Sequence, residues 1–229
     1  MKSVVLPFQH PFMLTLCGPS QSGKTYWIYN LINHIDCMIK PVPLKIVYLY
    51  TKYQEIYDKM KNVVVERKSY SNLKEIEFVN CFKAIPTSSE LKAKIGESSL
   101  VIYDDLMTTA ASSSQNIMNL DNIASRDSHH DNMSVIFVCQ NLMYGNGKLR
   151  NIRVNSQYHV IFKNLSDFRN AQLVASNRKI DSCVFSKILS EINDKQYGYL
   201  VFDGSPNGCN NTRLRTNIFP NECTTIYDV

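Results

Sequence analysis

Lys24 and Thr25 close the stretch Gly18-Pro19-Ser20-Gln21-Ser22-Gly23-Lys24-Thr25, which satisfies the pattern G-x-x-x-x-G-K-[ST] at every fixed position. Residues of these types at this spacing hold phosphate. The loop's backbone N–H groups can converge on phosphate oxygens, and a helix that follows adds its positive end. Lys24 would bridge the β- and γ-phosphates, while the Thr25 hydroxyl would ligate Mg²⁺.

The acids that such a site needs follow later. Leu100-Val101-Ile102-Tyr103 runs into Asp104-Asp105, four apolar residues and then an acid, the form of a Walker B strand. In a parallel sheet that strand end faces the phosphate loop. Asp104 is expected to hold Mg²⁺ through water. Asp105 is expected to polarise the attacking water or take its proton, a role usually given to Glu, whose longer reach Asp105 lacks. Gln140 ends the next apolar strand and would sense the γ-phosphate by bonding phosphate or water. A cation must also neutralise charge on the transferring phosphoryl, often an arginine from a neighbouring subunit. Arg126 is the first candidate and Arg150 the second, with Arg153 assigned to backbone contacts.

Two other groups carry weaker chemistry. His129-His130 with Asp127 and Asp131 suggests a metal, but adjacent histidines point in different directions and no third ligand follows at helical spacing. A polar turn is expected there. The tyrosines at 48, 50, 53, 57 and 70 are expected to pack half-buried rather than stack on bases.

The elements that must position these residues can be read from periodicity. An apolar run at 12–17 precedes the loop as a buried strand, and Trp27, Ile28, Leu31, Ile32 and Ile35 recur at helical spacing after it. Strands are expected at 45–50, 100–103, 134–139, 158–162 and 197–202, with a strand-like piece at 76–78. Helices are expected at 54–61, 89–95, from Ile117 toward Arg126, at 166–176 and at 181–193. A further apolar piece stands at 63–65, and the segment from 110 to 116 is small and polar. Strands alternating with helices predict an α/β phosphate-loop NTPase fold, mostly parallel, with helices on both sheet faces. One domain over residues 1–229 is expected, its core at about 12–203 and 204–229 an irregular tail.

Composition sets the outer bounds. Hydrophobic residues make up 44% of the 229-residue chain, enough for a sizeable core and against wholesale disorder. A net charge of +5 is compatible with a nucleic-acid partner without demanding one. The 7 cysteines are scattered, with no C-x-x-C pair, and are expected to be reduced residues of an intracellular protein. No stretch approaches a membrane span and no secretory leader is apparent, so a soluble protein is expected.

At this point the residues resemble a family, the FtsK/HerA-type genome-packaging ATPases of DNA viruses and virus-like transposons. Those of Polinton/Maverick elements and of related viruses with double jelly-roll capsids are especially similar. The phosphate loop and Ile102-Tyr103-Asp104-Asp105-Leu106-Met107 carry part of the likeness. More specific is Ser128-His129-His130-Asp131-Asn132-Met133-Ser134-Val135-Ile136-Phe137-Val138-Cys139-Gln140-Asn141-Leu142. Arg150-Asn151-Ile152, Val160-Ile161-Phe162-Lys163-Asn164 and Leu214-Arg215-Thr216-Asn217-Ile218-Phe219-Pro220 extend the likeness over about residues 12 to 220.

The resemblance implies an ATPase that uses ATP and Mg²⁺ and pumps double-stranded DNA into a preformed capsid. It further implies a homo-oligomeric ring, pentamer or hexamer, and viral capsid or portal-vertex proteins as partners. It places the action inside the host cell, in nucleus or cytoplasm, or on the virion. Lys24, Thr25, Asp104 and Asp105 would be the nucleotide and magnesium residues, and Gln140 the sensor. The loop at Gly145-Asn146-Gly147-Lys148, with Arg150 and Arg153, is a candidate to touch DNA. Two other readings share the phosphate loop: a nucleoside or nucleotide kinase, with Arg169 and Arg178 on a lid, and an assembly protein that binds nucleotide with little turnover.

Overall fold

The computed structural model describes residues 5–106, 109, 113–123, 132–141, 150–164, 168–176, 180–206 and 208–228. The strands in chain order are β1 (Phe8–Gln9), β2 (Met13–Cys17), β3 (Ile39–Lys40), β4 (Lys45–Tyr50), β5 (Glu75–Asn80), β6 (Ser99–Asp104), β7 (Met133–Cys139), β8 (Tyr158–Phe162), β9 (Tyr199–Asp203), β10 (Leu214–Thr216) and β11 (Thr225–Tyr227). The helices are α1 (Lys24–Asn33), α2 (Ile35–Met38), α3 (Ile56–Arg67), α4 (Ser88–Lys92), α5 (Ser114–Asn122), α6 (Arg150–Asn155), α7 (Phe168–Ser176) and α8 (Ser182–Asn193).

Apart from the small β1–β3 pair, the strands form one sheet in the order β11-β10-β9-β8-β2-β7-β6-β4-β5. From β8 to β5 every pairing is parallel. From β8 to β11 every pairing is antiparallel. The expected mostly parallel α/β sheet is therefore present, with an antiparallel extension at one edge.

The central strands are mostly apolar because both of their faces are covered. Successive side chains point to opposite faces: in β6, Leu100 and Ile102 belong to one buried cluster, Val101 and Tyr103 to the other. Trp27, Ile28 and Leu31 of α1, with Tyr57, Met60 and Val64 of α3, cover the first face. Leu120 of α5, with Phe185, Ile188, Leu189 and Ile192 of α8, covers the second.

Two expectations are corrected. The apolar run at 63–65 is not a separate piece but continues α3, whose buried face is Tyr57, Met60 and Val64 while Val65 stands exposed. The helical stripe outweighs the local β-propensity of three valines. The tail from 204 is not irregular, since it supplies β10 and β11. Arg215 of β10 is buried there beside Asp203, 3.6 Å away, with its guanidinium over the ring of Phe8. Strands of three residues are too short to show a period.

Candidate nucleotide site

The phosphate loop leaves the carboxyl end of β2, a central strand flanked by β7 and β8. Its two fixed glycines answer different local demands. A Cβ on Gly18 would lie 2.6 Å from Cβ of Phe162 on β8, an approach that only hydrogen permits. Gly23 caps α1 with φ of 99°, in the left-handed region that favours glycine. Gln21 is also left-handed, with φ of 64°. The Gly18 N–H donates to the Cys139 carbonyl at 3.2 Å, which ties the loop to the end of β7.

The order β2-β7-β6 puts Gln140, just past β7, between the loop and the acids that end β6. Asp104 of β6 is paired with Val138 of β7. One cleft of about 870 Å³ is lined by loop residues, by Thr25, and by Asp104, Asp105 and Gln140. All of the loop-and-acid candidates except Gly18, Pro19 and Ser22 line it.

Lys24 is folded back onto its own loop. Its ammonium donates to the carbonyls of Gly18 and Pro19, each at 2.7 Å. Burial lowers its pKa, and the nearby thiols of Cys139 and Cys17 and carboxylates of Asp104 and Asp105 oppose that shift. A partly desolvated cation held by two neutral carbonyls is suited to exchange them for an anion.

Asp104 is 5% exposed. Two tyrosine hydroxyls converge on its Oδ2, Tyr48 at 2.7 Å and Tyr57 at 3.0 Å. Burial raises the carboxyl pKa, the hydroxyls of Tyr48 and Tyr57 pull it back, and Asp105 adds a further upward push that Lys24 opposes. The expectation that these tyrosines pack half-buried is corrected for Tyr48 and Tyr57, which are fully buried and whose hydroxyls also fix the rotamer of an acid 56 and 47 residues away. Nothing local in the sequence marks that contact. Tyr53 and Tyr70 stand exposed.

The donor set fits Mg²⁺. The Thr25 hydroxyl and the Asp104 carboxylate are hard oxygen donors on one cleft. Among the described residues no group of three or more His, Cys, Asp or Glu could hold a metal. Few protein ligands, completed by phosphate and water, is the usual magnesium arrangement.

The far wall of the cleft has no counterpart among the expected site residues. It is built by Phe162, Tyr197, Tyr199, Asn217, Phe219 and Glu222, three of them from the tail. The Glu222 carboxylate accepts from the Tyr199 hydroxyl at 3.0 Å and from the Phe219 N–H at 3.2 Å, which pins the tail across the cleft.

Two of the candidate arginines stand away from the cleft. Arg150 is exposed at the start of α6, and neither it nor Arg153 is among the residues lining the cleft. Arg126, Arg178, the pair His129-His130 and the loop from Gly145 to Lys148 lie outside the described residues.

The family model described as Poxvirus A32 protein matches residues 6–209. A structure of the genome packaging NTPase B204 from Sulfolobus turreted icosahedral virus 2, in complex with AMPPCP, is similar with a TM-score of 0.50 and 16% identity, covering 85% of this chain and 93% of that one. The same NTPase in complex with sulfate aligns with a TM-score of 0.54 and 15% identity, over 96% of this chain and 97% of that one. These two likenesses show a shared fold. No curated protein matches the sequence.

Proposed function

The chain belongs to the poxvirus A32 protein family, and we propose that it is an ATP-hydrolysing motor that packages double-stranded viral DNA into a preformed capsid. The observation that carries this reading is the convergence of the phosphate loop, Asp104, Asp105 and Gln140 on one cleft. The likeness in fold to B204, a genome packaging NTPase, supports it.

In this reading Lys24 leaves the carbonyls of Gly18 and Pro19 for the β- and γ-phosphates. Thr25 and Asp104 hold Mg²⁺, which when bound neutralises phosphate charge. Tyr48 and Tyr57 keep the Asp104 carboxylate in the required rotamer. Asp105 polarises the attacking water, and its left-handed backbone, with φ of 54°, aims a short side chain that has little reach to spare. Gln140 bonds the γ-phosphate or that water and so reports which nucleotide is present.

The cation that completes the site comes from a neighbouring copy in a ring of five or six, Arg126 first and Arg150 second. The exposure of Arg150 outside its own cleft agrees with a role in trans. DNA is gripped by sequence-independent, salt-sensitive contacts. The motor acts inside the host cell, in nucleus or cytoplasm, and docks on capsid or portal-vertex proteins. No helix among the described residues is long and apolar enough to cross a membrane.

The test is ATP hydrolysis by the full chain with and without duplex DNA. The motor reading expects duplex to accelerate hydrolysis and rising salt to remove the acceleration. Hydrolysis indifferent to duplex at every salt concentration would contradict it, and phosphate transfer to a nucleoside rather than water would favour a kinase.

A further inference from the structure

Tyr197 is an aromatic residue held where aromatic residues seldom sit. Its φ is 56°, in the left-handed region. For a bulky side chain that conformation is a genuine outlier, costly enough to persist only where surrounding structure enforces it. The enforcement is visible. The chain leaves α8 in a tight turn in which the Gly198 N–H donates to the Lys195 carbonyl at 3.2 Å. Gly198 then passes so close to α8 that a Cβ there would lie 2.2 Å from the Ile192 carbonyl oxygen. Beyond Gly198 the chain is committed to β9, which is paired with β8 beside the phosphate loop.

The strain does not serve to bury the ring, since Tyr197 is 60% exposed. It serves to place it. The ring lies against the phosphate loop, its Cδ1 at 3.4 Å from where a Cβ on Gly23 would stand. It faces the same cleft as Lys24, Thr25 and Asp104, with the polar side chains of Asn217 and Glu222 on the same wall. An exposed aromatic face beside a phosphate cradle, with an amide and a carboxylate side chain lining the same cleft, is a surface for a flat, partly polar ring.

We propose that Tyr197 is the stacking platform for the nucleobase of the bound nucleoside triphosphate, with Asn217 and Glu222 meeting the polar edge of that base. This rests on the reading of Gly18 to Thr25 as the phosphate site. It adds what the phosphate residues cannot supply, a preference for a nucleotide over bare polyphosphate. The platform binds and takes no part in the chemistry.

Tyr197→Gly separates function from fold, because glycine adopts the left-handed backbone freely while the ring is lost. The full chain is titrated calorimetrically with MgATP and with magnesium tripolyphosphate, which carries the phosphates and no base. Tyr197→Gly is expected to melt no lower than the parent and to bind MgATP about tenfold more weakly, with tripolyphosphate affinity unchanged. Tyr197→Phe should bind both ligands as the parent does. Unchanged MgATP affinity in Tyr197→Gly would overturn the proposal, as would equal losses for both ligands. A base-specific loss in Tyr26→Ala, the other exposed ring of the cleft, with none at Tyr197 would overturn it too. Lys24→Ala should weaken both ligands together, and if it does not, the phosphate-site reading beneath the proposal falls separately.

Discussion

The two walls of the cleft come from the parallel and the antiparallel halves of one sheet, and they do different work. The parallel half delivers β2, β6 and β7 with their carboxyl ends at one edge, so residues far apart in the chain arrive side by side. That wall carries groups for phosphate: Lys24, Thr25, Asp104, Asp105 and Gln140. The antiparallel half delivers Tyr197, Tyr199, Asn217, Phe219 and Glu222, mostly rings with two polar edges. Of the five non-glycine residues with positive φ among those described, four line the cleft, two on each wall: Gln21 and Asp105 on one, Tyr197 and Asn217 on the other. Backbone strain concentrates where a ligand must be shaped as well as where it must react.

The division can be broken from the parallel side first. Asp104→Asn removes the buried carboxylate while keeping its shape, and is expected to slow ATP hydrolysis by about 100-fold or more while the protein stays folded. Single-turnover hydrolysis at saturating Mg²⁺ checks this. Next is Gly18→Ala, whose new Cβ would press on Cβ of Phe162, a backbone-fixed atom that cannot swing away. Overpacking of this kind costs about 1–3 kcal/mol, seen as a lower melting temperature together with weakened nucleotide binding.

The smallest effect lies one layer behind the site. Tyr48→Phe keeps the ring stacked near Phe78 and removes one hydrogen bond that lowers the Asp104 pKa. The cation needs the ionised carboxylate, so Mg²⁺-dependent ATP affinity should rise with pH through the raised pKa of Asp104. In Tyr48→Phe that rise should move to higher pH, with an affinity loss of several-fold, about 1 kcal/mol, near the parent's midpoint that closes at higher pH. A pH series of MgATP affinities in parent and variant measures the displacement.

The walls also differ in how far they can be read from the sequence. The parallel half is legible because each strand is a mostly apolar run that ends at the phosphate loop or on a polar residue of the site, as at Cys17-Gly18, Tyr103-Asp104 and Cys139-Gln140. The register then places those ends together. Beyond β9 the antiparallel half is not, because β10 and β11 have three residues each and sit among Asn, Pro and Gly that also mark loops. Tyr197 reads as the first residue of a strand, and only its turn conformation sends the ring to the cleft. Tyr48 and Tyr57 read as packing, which they are, but their hydroxyls reach Asp104 from the neighbouring strand β4 and from α3, across a long sequence separation that leaves no local pattern. Sequence periodicity reports which face a residue takes, not which atom its polar tip meets.

The phosphate loop as a hydrolytic site is the central claim, and steady-state ATP hydrolysis by parent and Lys24→Ala in the presence of duplex DNA tests it most directly. Lys24 is the cation of the phosphate loop that must exchange the Gly18 and Pro19 carbonyls for the transferring phosphate. Its loss is predicted to reduce turnover by about 100-fold or more with the fold intact. Lys24→Ala hydrolysing ATP at the parent's rate would contradict the claim.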